Sequence, residues 1–141
     1  MNIDYIILPF LSWFVAGCLK FVINFVRFGK NALKKVGYGG LPSNHTTIVF
    51  SMPAYIGFEN GIGEPAFGAC LTLAFIVIMD AMDLRRKVGK HAAGLNALNE
   101  KLNPSNAPTP LRERVGHSPI EVCAGIVLGV SLGYLVSVAN L

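Results

Sequence analysis

A chain of 141 residues is the length of one domain. Its hydrophobic fraction is 52%, its charged fraction is 14%, and its mean hydropathy is +0.52, whereas soluble domains carry about 25% charged residues. The apolar residues come in blocks, several of which reach the roughly 20 residues that cross a bilayer, and this argues against a soluble globular domain. We therefore expect one all-α integral membrane helical bundle over residues 1–141.

The blocks predict about four transmembrane spans, at roughly residues 5–26, 44–58, 65–82 and 119–138, the second of which is short for a complete crossing. No basic region or cleavage site marks the N-terminus as a signal peptide, so the first block is expected to remain as a span. Between the third and fourth spans, apolar residues recur every three or four positions from Leu84 to Leu102 and predict an amphipathic helix. The proline-rich segment 103–110 then ends it.

Charge is distributed on one side of the predicted spans. All 12 Lys and Arg residues lie at the end of the first span or in the segments after the first and third spans. The opposite side holds Asp4, Glu59 and Glu64. The positive-inside rule then predicts a multi-pass protein of the inner cell membrane, with the basic face in the cytoplasm and both termini outside. An anion-binding face would produce the same asymmetry.

The three cysteines, Cys18, Cys70 and Cys123, lie in apolar stretches with neither zinc-site nor disulfide spacing. We expect no metal site and no cofactor. All three histidines fall on the basic side, which suits an anionic lipid headgroup.

The first candidate motif is the segment 39–47, with sequence GGLPSNHTT. Ser43 or Asn44 can cap the second span, and the exposed N–H groups of a helix start attract anions. His45 lies in the first turn, where it could face such an anion. An ordinary Gly-Pro turn with an interfacial histidine explains the same residues.

The second candidate motif begins at Gly116. Ser118 at the cap, Pro119 at the first helical position and Glu121 three residues after the cap form a capping box, which is a complete structural explanation for those three. It leaves His117 unexplained. Glu121 lies four residues beyond His117 and can orient its imidazole.

Basic residues form the third candidate element. Lys20 and Arg27 are seven residues apart and share a helix face, and Arg85 and Arg86 follow the third span. Arginine suits bidentate binding of phosphate. Snorkelling to the interface and simple membrane-flanking charge are the alternative interpretations.

These motifs together resemble the phosphatidic acid phosphatase type 2 and vanadium haloperoxidase superfamily. Its K-x6-R-P pattern resembles Lys20 and Arg27 with Phe28 in place of proline, and its P-S-G-H pattern resembles residues 42–45 with Asn44 in place of glycine. Its S-R-x5-H-x3-D pattern resembles His117-x3-Glu121 at its end.

The similarity is closer to a small divergent bacterial branch with G-G-M-P-S-S-H, D-x2-G-V-R-R-x2-G and G-H-x-P-x-E-V segments. The corresponding residues here are 40–45, 80–89 and 116–122, and the resemblance extends from about residue 20 to 129. One position departs from the superfamily: Leu111 stands where arginine is expected, six residues before His117. Arg85 lies six before His91, but Leu95 then replaces the carboxylate, which indicates that His91 is a decoy.

The resemblance implies a metal-independent lipid phosphatase. His117 would attack phosphorus, Glu121 would orient it, and His45 would protonate the leaving alcohol. The phosphoryl oxygens would be bound by six residues: Lys20, Arg27, Ser43, Asn44, Arg85 and Arg86. The Arg85–Arg86 pair would supply the arginine missing at Leu111.

The substrate implied is a lipid phosphate or pyrophosphate entering from the bilayer. We expect membrane lipids rather than nucleic acid as partners, and a homodimer would be compatible with so thin a bundle. The competing interpretation is a non-catalytic membrane protein that binds anionic lipid or a partner through the same basic face. A transporter finds little support, since no inverted repeat is present.

Overall fold

In a computed structural model the described residues are 3–29, 40–102, 108–113 and 115–139. Within these ranges the chain is helical and contains no strand, so the predicted all-α membrane bundle is confirmed. A π-helical turn, Asp80–Leu84, joins the third and fourth α-helices. The helices are α1 Asp4–Phe28, α2 Asn44–Glu59, α3 Pro65–Met79, α4 Arg85–Leu102 and α5 Pro119–Ala139.

Among the described residues, three helical segments are long and apolar enough to cross a membrane, namely 4–27, 65–102 and 119–139. In the most apolar stretch of these three segments, only 17%, 11% and 33% respectively is buried inside the bundle. Most of this apolar surface therefore faces outward, as lipid contact requires. The expected second span, α2, has 16 residues and falls short of this length. The third span and the amphipathic helix are one continuous helical segment, because the π turn carries the chain from α3 into α4 without a break.

The short helix α2 forms the centre of the bundle and packs against α5, α3 and α1. It runs antiparallel to α1: the Tyr5 hydroxyl donates to Asn60 just past the end of α2, at 2.8 Å. The start of α2 lies beside the middle of α1, where the Asn44 amide is the nearest group to Gly17. Since α1 rises about 1.5 Å per residue, its end at residue 28 extends roughly 16 Å beyond that level.

Three glycines on α5 allow it to pack closely against α2. A Cβ at Gly125 would lie 2.8 Å from the Ser43 carbonyl oxygen, and one at Gly129 would lie 2.6 Å from that of Thr47. Gly133 approaches the Ser51 carbonyl in the same way. The contacts advance by four residues on both helices in the same direction, so α2 and α5 are parallel. Small residues at four-residue spacing let two membrane helices approach at backbone distance.

The end of the bundle opposite the basic residues contains a buried polar pair. The Tyr55 hydroxyl donates to Asp4 Oδ2 at 3.0 Å, and both residues are almost completely buried. The Tyr55 ring packs edge-on against Tyr5 with centroids 5.1 Å apart. A carboxylate in an apolar bundle needs such a partner, because an unpaired buried charge is costly.

We predict that Gly129→Val destabilises the protein, because its side chain would overlap the Thr47 carbonyl and separate α2 from α5. Overpacking of this kind costs about 1–3 kcal/mol. The matched control is Gly68→Val on α3, where an added Cβ meets nothing within 4 Å. Thermal unfolding in detergent should show a lower midpoint for Gly129→Val than for Gly68→Val. Equal midpoints would contradict the close α2–α5 contact.

Candidate active site

The first motif forms the start of α2 in the way its sequence predicts. Ser43 is the N-cap: its hydroxyl oxygen accepts hydrogen bonds from the Thr46 backbone N–H at 3.4 Å and from the Thr46 hydroxyl at 2.9 Å. Ser43 is completely buried, whereas His45 in the first turn is exposed. The helix start therefore holds its serine rigidly and leaves the imidazole of His45 accessible.

The second motif forms the expected capping box at the start of α5. The Glu121 N–H donates to the Ser118 hydroxyl at 3.3 Å, and the Ser118 N–H donates to Glu121 Oε2 at 3.0 Å. The same carboxylate oxygen lies 3.1 Å from Nδ1 of His117. Nδ1 is thereby engaged, and Nε2 is the ring nitrogen that remains for chemistry. His117 is only 9% exposed, so its orientation is well defined.

Glu121 also connects the two motifs. Its second oxygen, Oε1, accepts the Gly40 backbone N–H at 2.7 Å, and its backbone carbonyl accepts the Ser43 N–H at 3.0 Å. Gly40 has a φ of 106°, which favours glycine, so the backbone there can turn its N–H toward the carboxylate. One glutamate thus fixes the loop before α2, the start of α2 and the His117 ring.

The two motif histidines meet at the end of the bundle. The ring centroids of His45 and His117 are 5.9 Å apart and the ring planes are inclined by 60°. Because α2 and α5 are parallel and start side by side, their two positive dipole ends point to the same place. Two histidines and two helix N-termini around one point form an arrangement suited to an anion.

The π turn brings a third element to this point. Its Ala81 carbonyl accepts the His117 N–H at 3.0 Å. The wider turn also places Asp80 against Arg85, five residues later, with Asp80 Oδ2 2.8 Å from Nε of the guanidinium. That ion pair uses one of five N–H donors and leaves the terminal nitrogens of Arg85 for a ligand.

Charges from three helices act on His45. Arg85, Lys20 and Asp80 all interact electrostatically with it, as does His117. Lys20 on α1 is half-buried and also interacts with Glu121. Lys20 and Arg85 are therefore the cations that act on the histidine pair.

Arg86 lies against the loop that precedes His117. Gly116 has a φ of 101°, and a Cβ there would come within 3.0 Å of Arg86 Cγ and 3.1 Å of the Ala81 carbonyl. The backbone before His117 therefore runs directly over the π turn and the start of α4. Arg86 contributes packing to this loop, while its side chain as a whole is exposed.

Other candidates stand further from the histidine pair. Arg27 is exposed near the end of α1, about 10 Å along the helix axis from Lys20, and no contact in the described ranges ties it to the site. His91 is exposed on α4. Leu111, at the expected arginine position, is exposed, and its backbone exchanges hydrogen bonds of 2.7 and 2.8 Å with the Asn96 side chain. Asn96 is eleven residues beyond Arg85, roughly 16 Å along the helix.

Asn44 faces α1 rather than the histidines. Its Nδ2 atom is 4.0 Å from the Cβ position of Gly17, and its buried Oδ1 has no hydrogen-bond partner among the described residues. Ser43 is close to the histidines in sequence, but its hydroxyl is buried as a cap.

The sequence did not identify three contributors to the site: the Gly40 N–H, the Ala81 carbonyl and the Asp80 carboxylate. The double glycine at 39–40 indicates a close approach of the backbone to another group, but the sequence does not show that this group is Glu121. Asp80 and Arg85 are five apart, a spacing that diverges on an α-helix, so only the π turn brings them together. In the described parts of the chain, no cluster of three or more His, Cys, Asp or Glu could hold a metal ion.

The fold and the site define an all-helical membrane protein with a two-histidine, carboxylate-oriented centre. The chain belongs to the Divergent PAP2 family, which it matches over residues 1–132. It is also similar to the uncharacterized membrane protein YuiD of Bacillus subtilis (strain 168), with 31% identity over 107 residues that cover 67% of this chain and 68% of the relative. No solved structure matches the chain. The family resemblance inferred from the sequence motifs is thereby confirmed.

We predict opposite effects for two glycine-to-alanine substitutions. Gly116→Ala should destabilise the protein by about 1–3 kcal/mol, because its φ is unfavourable for alanine and the methyl group would press on the π turn. Gly94→Ala, inside α4 with open space around it, should stabilise the protein by up to about 1 kcal/mol through helix propensity. The thermal unfolding midpoint in detergent should be lower than wild type for Gly116→Ala and higher than wild type for Gly94→Ala. A neutral Gly116→Ala would mean that the His117 loop is not held against α4.

Proposed function

We propose that the protein is a membrane lipid phosphatase that hydrolyses a lipid phosphate or pyrophosphate through a phosphohistidine intermediate. The observation that carries the proposal is the pairing of His45 with His117, whose ring centroids are 5.9 Å apart. Glu121 is hydrogen-bonded to Nδ1 of His117. Family membership supports a phosphatase-related chemistry.

In the first step, Nε2 of His117 attacks phosphorus and the bond from phosphorus to the lipid oxygen breaks. The hydrogen bond from Glu121 holds the ring in the tautomer that exposes the Nε2 lone pair, and the carboxylate stabilises the positive charge that develops on the ring. His45, protonated, donates its proton to the departing oxygen, so that the lipid leaves as a neutral alcohol or, from a pyrophosphate, as the lipid monophosphate.

In the second step, water attacks the phosphohistidine. His45, now neutral, accepts a proton from that water, and the bond between phosphorus and His117 breaks to release inorganic phosphate. The cycle restores both histidines and consumes one water per phosphate released.

The phosphoryl oxygens would be held by cations and helix starts. Arg85 forms an ion pair with Asp80 and interacts electrostatically with His45, as does Lys20 from α1. The N-termini of α2 and α5 add backbone N–H dipoles. Of the expected ligands, Arg27 would act at longer range, since it lies about 10 Å along α1 from Lys20. Arg86 lies against the loop before His117, with its side chain exposed. Arg85 would replace the arginine expected at residue 111.

The position of the site among apolar helices supports a lipid as the substrate: it lies at the starts of α2 and α5 and beside Lys20, which is inside α1. A lipid phosphate would keep its chain in the bilayer while its headgroup reaches the histidines. We propose the inner cell membrane as the location, with the site on the cytoplasmic face and both termini outside, because all 12 basic residues lie at the site's end of the predicted spans.

The first test is phosphate release by purified protein in detergent, from a panel of lipid phosphates and pyrophosphates with EDTA present. Wild type should release phosphate, and His117→Ala should lower kcat at least about a thousandfold, as expected for loss of a nucleophile. With radiolabelled substrate, acid quenching should trap phosphate on wild type and not on His117→Ala.

The matched control is His91→Ala, because His91 is an exposed histidine on α4. It should retain wild-type rates and trapping. Equal release by wild type and His117→Ala would eliminate His117 as the nucleophile. Absence of release from the whole panel would favour a non-catalytic protein that binds anionic lipid.

We further predict that Arg85→Gln lowers kcat about a hundredfold and weakens inhibition by vanadate, which imitates a five-coordinate phosphoryl group. Lys87→Gln is the control, since Lys87 is exposed and pairs with Asp83 on the same helix at 2.8 Å. It should leave both kcat and vanadate inhibition near wild type. If the two variants behave alike, Arg85 does not replace the arginine expected at residue 111.

A further inference from the structure

A groove of about 430 Å³ runs along the outer face of α1, within the size range of small-molecule sites. It opens to the outside of the bundle, and its lining is apolar except where Asn44 borders it. Along α1, its lining residues are Trp13, Phe14, Gly17, Cys18, Phe21 and Val22. Gly17 lacks a side chain, which makes the floor of the groove deep at its middle.

The groove adjoins the candidate phosphate site at two residues. Asn44 borders the groove and precedes His45, and its buried Oδ1 has no partner in the described parts of the chain. Lys20 follows Gly17 by three residues, nearly one helical turn, and interacts with both His45 and Glu121. The groove therefore lies one residue from His45 along α2 and within about one helical turn of Lys20 along α1.

We infer that this groove binds one hydrocarbon chain of the lipid phosphate and that Asn44 binds the polar linkage between chain and phosphate. The inference rests on the proposed function and adds to it the path of the substrate. An apolar groove on a membrane-crossing helix that leads to a cationic site fits a ligand with one apolar and one anionic end. A primary amide can donate to or accept from an ester or hydroxyl at the junction.

The direction of the chain follows from the helix. From the level of Lys20, the groove continues toward Trp13, about 10 Å deeper into the span. Trp13 is the only tryptophan of the chain, so its fluorescence reports on the deep end of the groove alone.

The binding test measures quenching of Trp13 fluorescence in detergent micelles. The probe is a phosphonate analogue of phosphatidate whose acyl chains carry bromine near their midpoint, since the carbon bridge to phosphorus prevents hydrolysis. The reference probe is diacylglycerol with the same brominated chains. We expect half-maximal quenching by the phosphonate at about a tenfold lower mole fraction than by the diacylglycerol. Equal quenching by both probes would overturn the inference, because it would describe an ordinary lipid-facing surface.

Gly17→Leu should remove the difference between the two probes. A Cβ at this position meets only the Asn44 amide, at 4.0 Å, so the leucine fills the groove without a clash in the bundle. Gly68→Leu on α3 is the matched control, because it adds the same side chain to an open helix surface away from the groove. It should preserve the difference. Loss of the difference in both variants, or in neither, would contradict the groove as the chain site.

Activity gives a second measurement. Gly17→Leu should lower kcat/KM for a long-chain lipid phosphate at least about tenfold more than for a short-chain one, and Gly68→Leu should not change that ratio. Preferential quenching by the phosphonate without hydrolysis of any substrate would reject the proposed function and retain the groove. Hydrolysis together with equal quenching by the two probes would support the proposed function and reject the groove as the chain site.

Light scattering in detergent addresses a second copy of the chain as the occupant. We expect Gly17→Leu and wild type to have the same particle mass. A change of mass in Gly17→Leu with unchanged quenching would assign the groove to a protein interface and refute the inference.

Discussion

The carboxylate of Glu121 is the group on which the arrangement of the site depends. It accepts hydrogen bonds from Gly40 at 2.7 Å and Ser118 at 3.0 Å, and it lies 3.1 Å from His117 Nδ1. These partners come from the loop before α2, the cap of α5 and the imidazole itself. Charged acceptors make the stronger hydrogen bonds in proteins, and three donors satisfy the carboxylate at a half-buried position. An aspartate side chain is shorter by about 1.5 Å and could not contact all three partners at once, which is a physical reason for glutamate at this position.

The glycines of α5 make that reach possible. Gly125 lies one turn beyond Glu121 and touches the backbone of Ser43, so α2 and α5 start at backbone distance. Parallel helices bring like dipole ends together, which is unfavourable until something negative lies between them. Glu121 supplies one negative charge, and an anionic ligand would supply more. The packing that stabilises the apolar part of the bundle therefore also brings the two positive helix ends together.

The sequence predicted the individual helices better than the way in which they are joined and contact each other. Capping signals placed the starts of α2 and α5 correctly, and the apolar period predicted α4, because both depend on local residues. The third span and α4 were predicted as separate elements, whereas a π turn continues the helix from one into the other. No local signal distinguishes that turn from an ordinary helix end. The same turn accounts for the Asp80–Arg85 pair. The Gly40–Glu121 bond joins residues 81 positions apart, and a single sequence contains no periodicity that could reveal it.

The position of the site along α1 explains how a chain without the expected arginine could still hold a phosphate. Leu111 is drawn away from the histidines by its bonds to Asn96, so an arginine side chain at that position would begin near the middle of α4. Arg85, in contrast, starts where the π turn contacts the backbone of His117. Lys20 lies close to the level of Asn44 and well below the end of α1, and it is half-buried, which weakens the screening of its charge by water. Under the proposed function these two cations carry the charge stabilisation, while Arg27, about 10 Å further out, attracts the headgroup over a longer range.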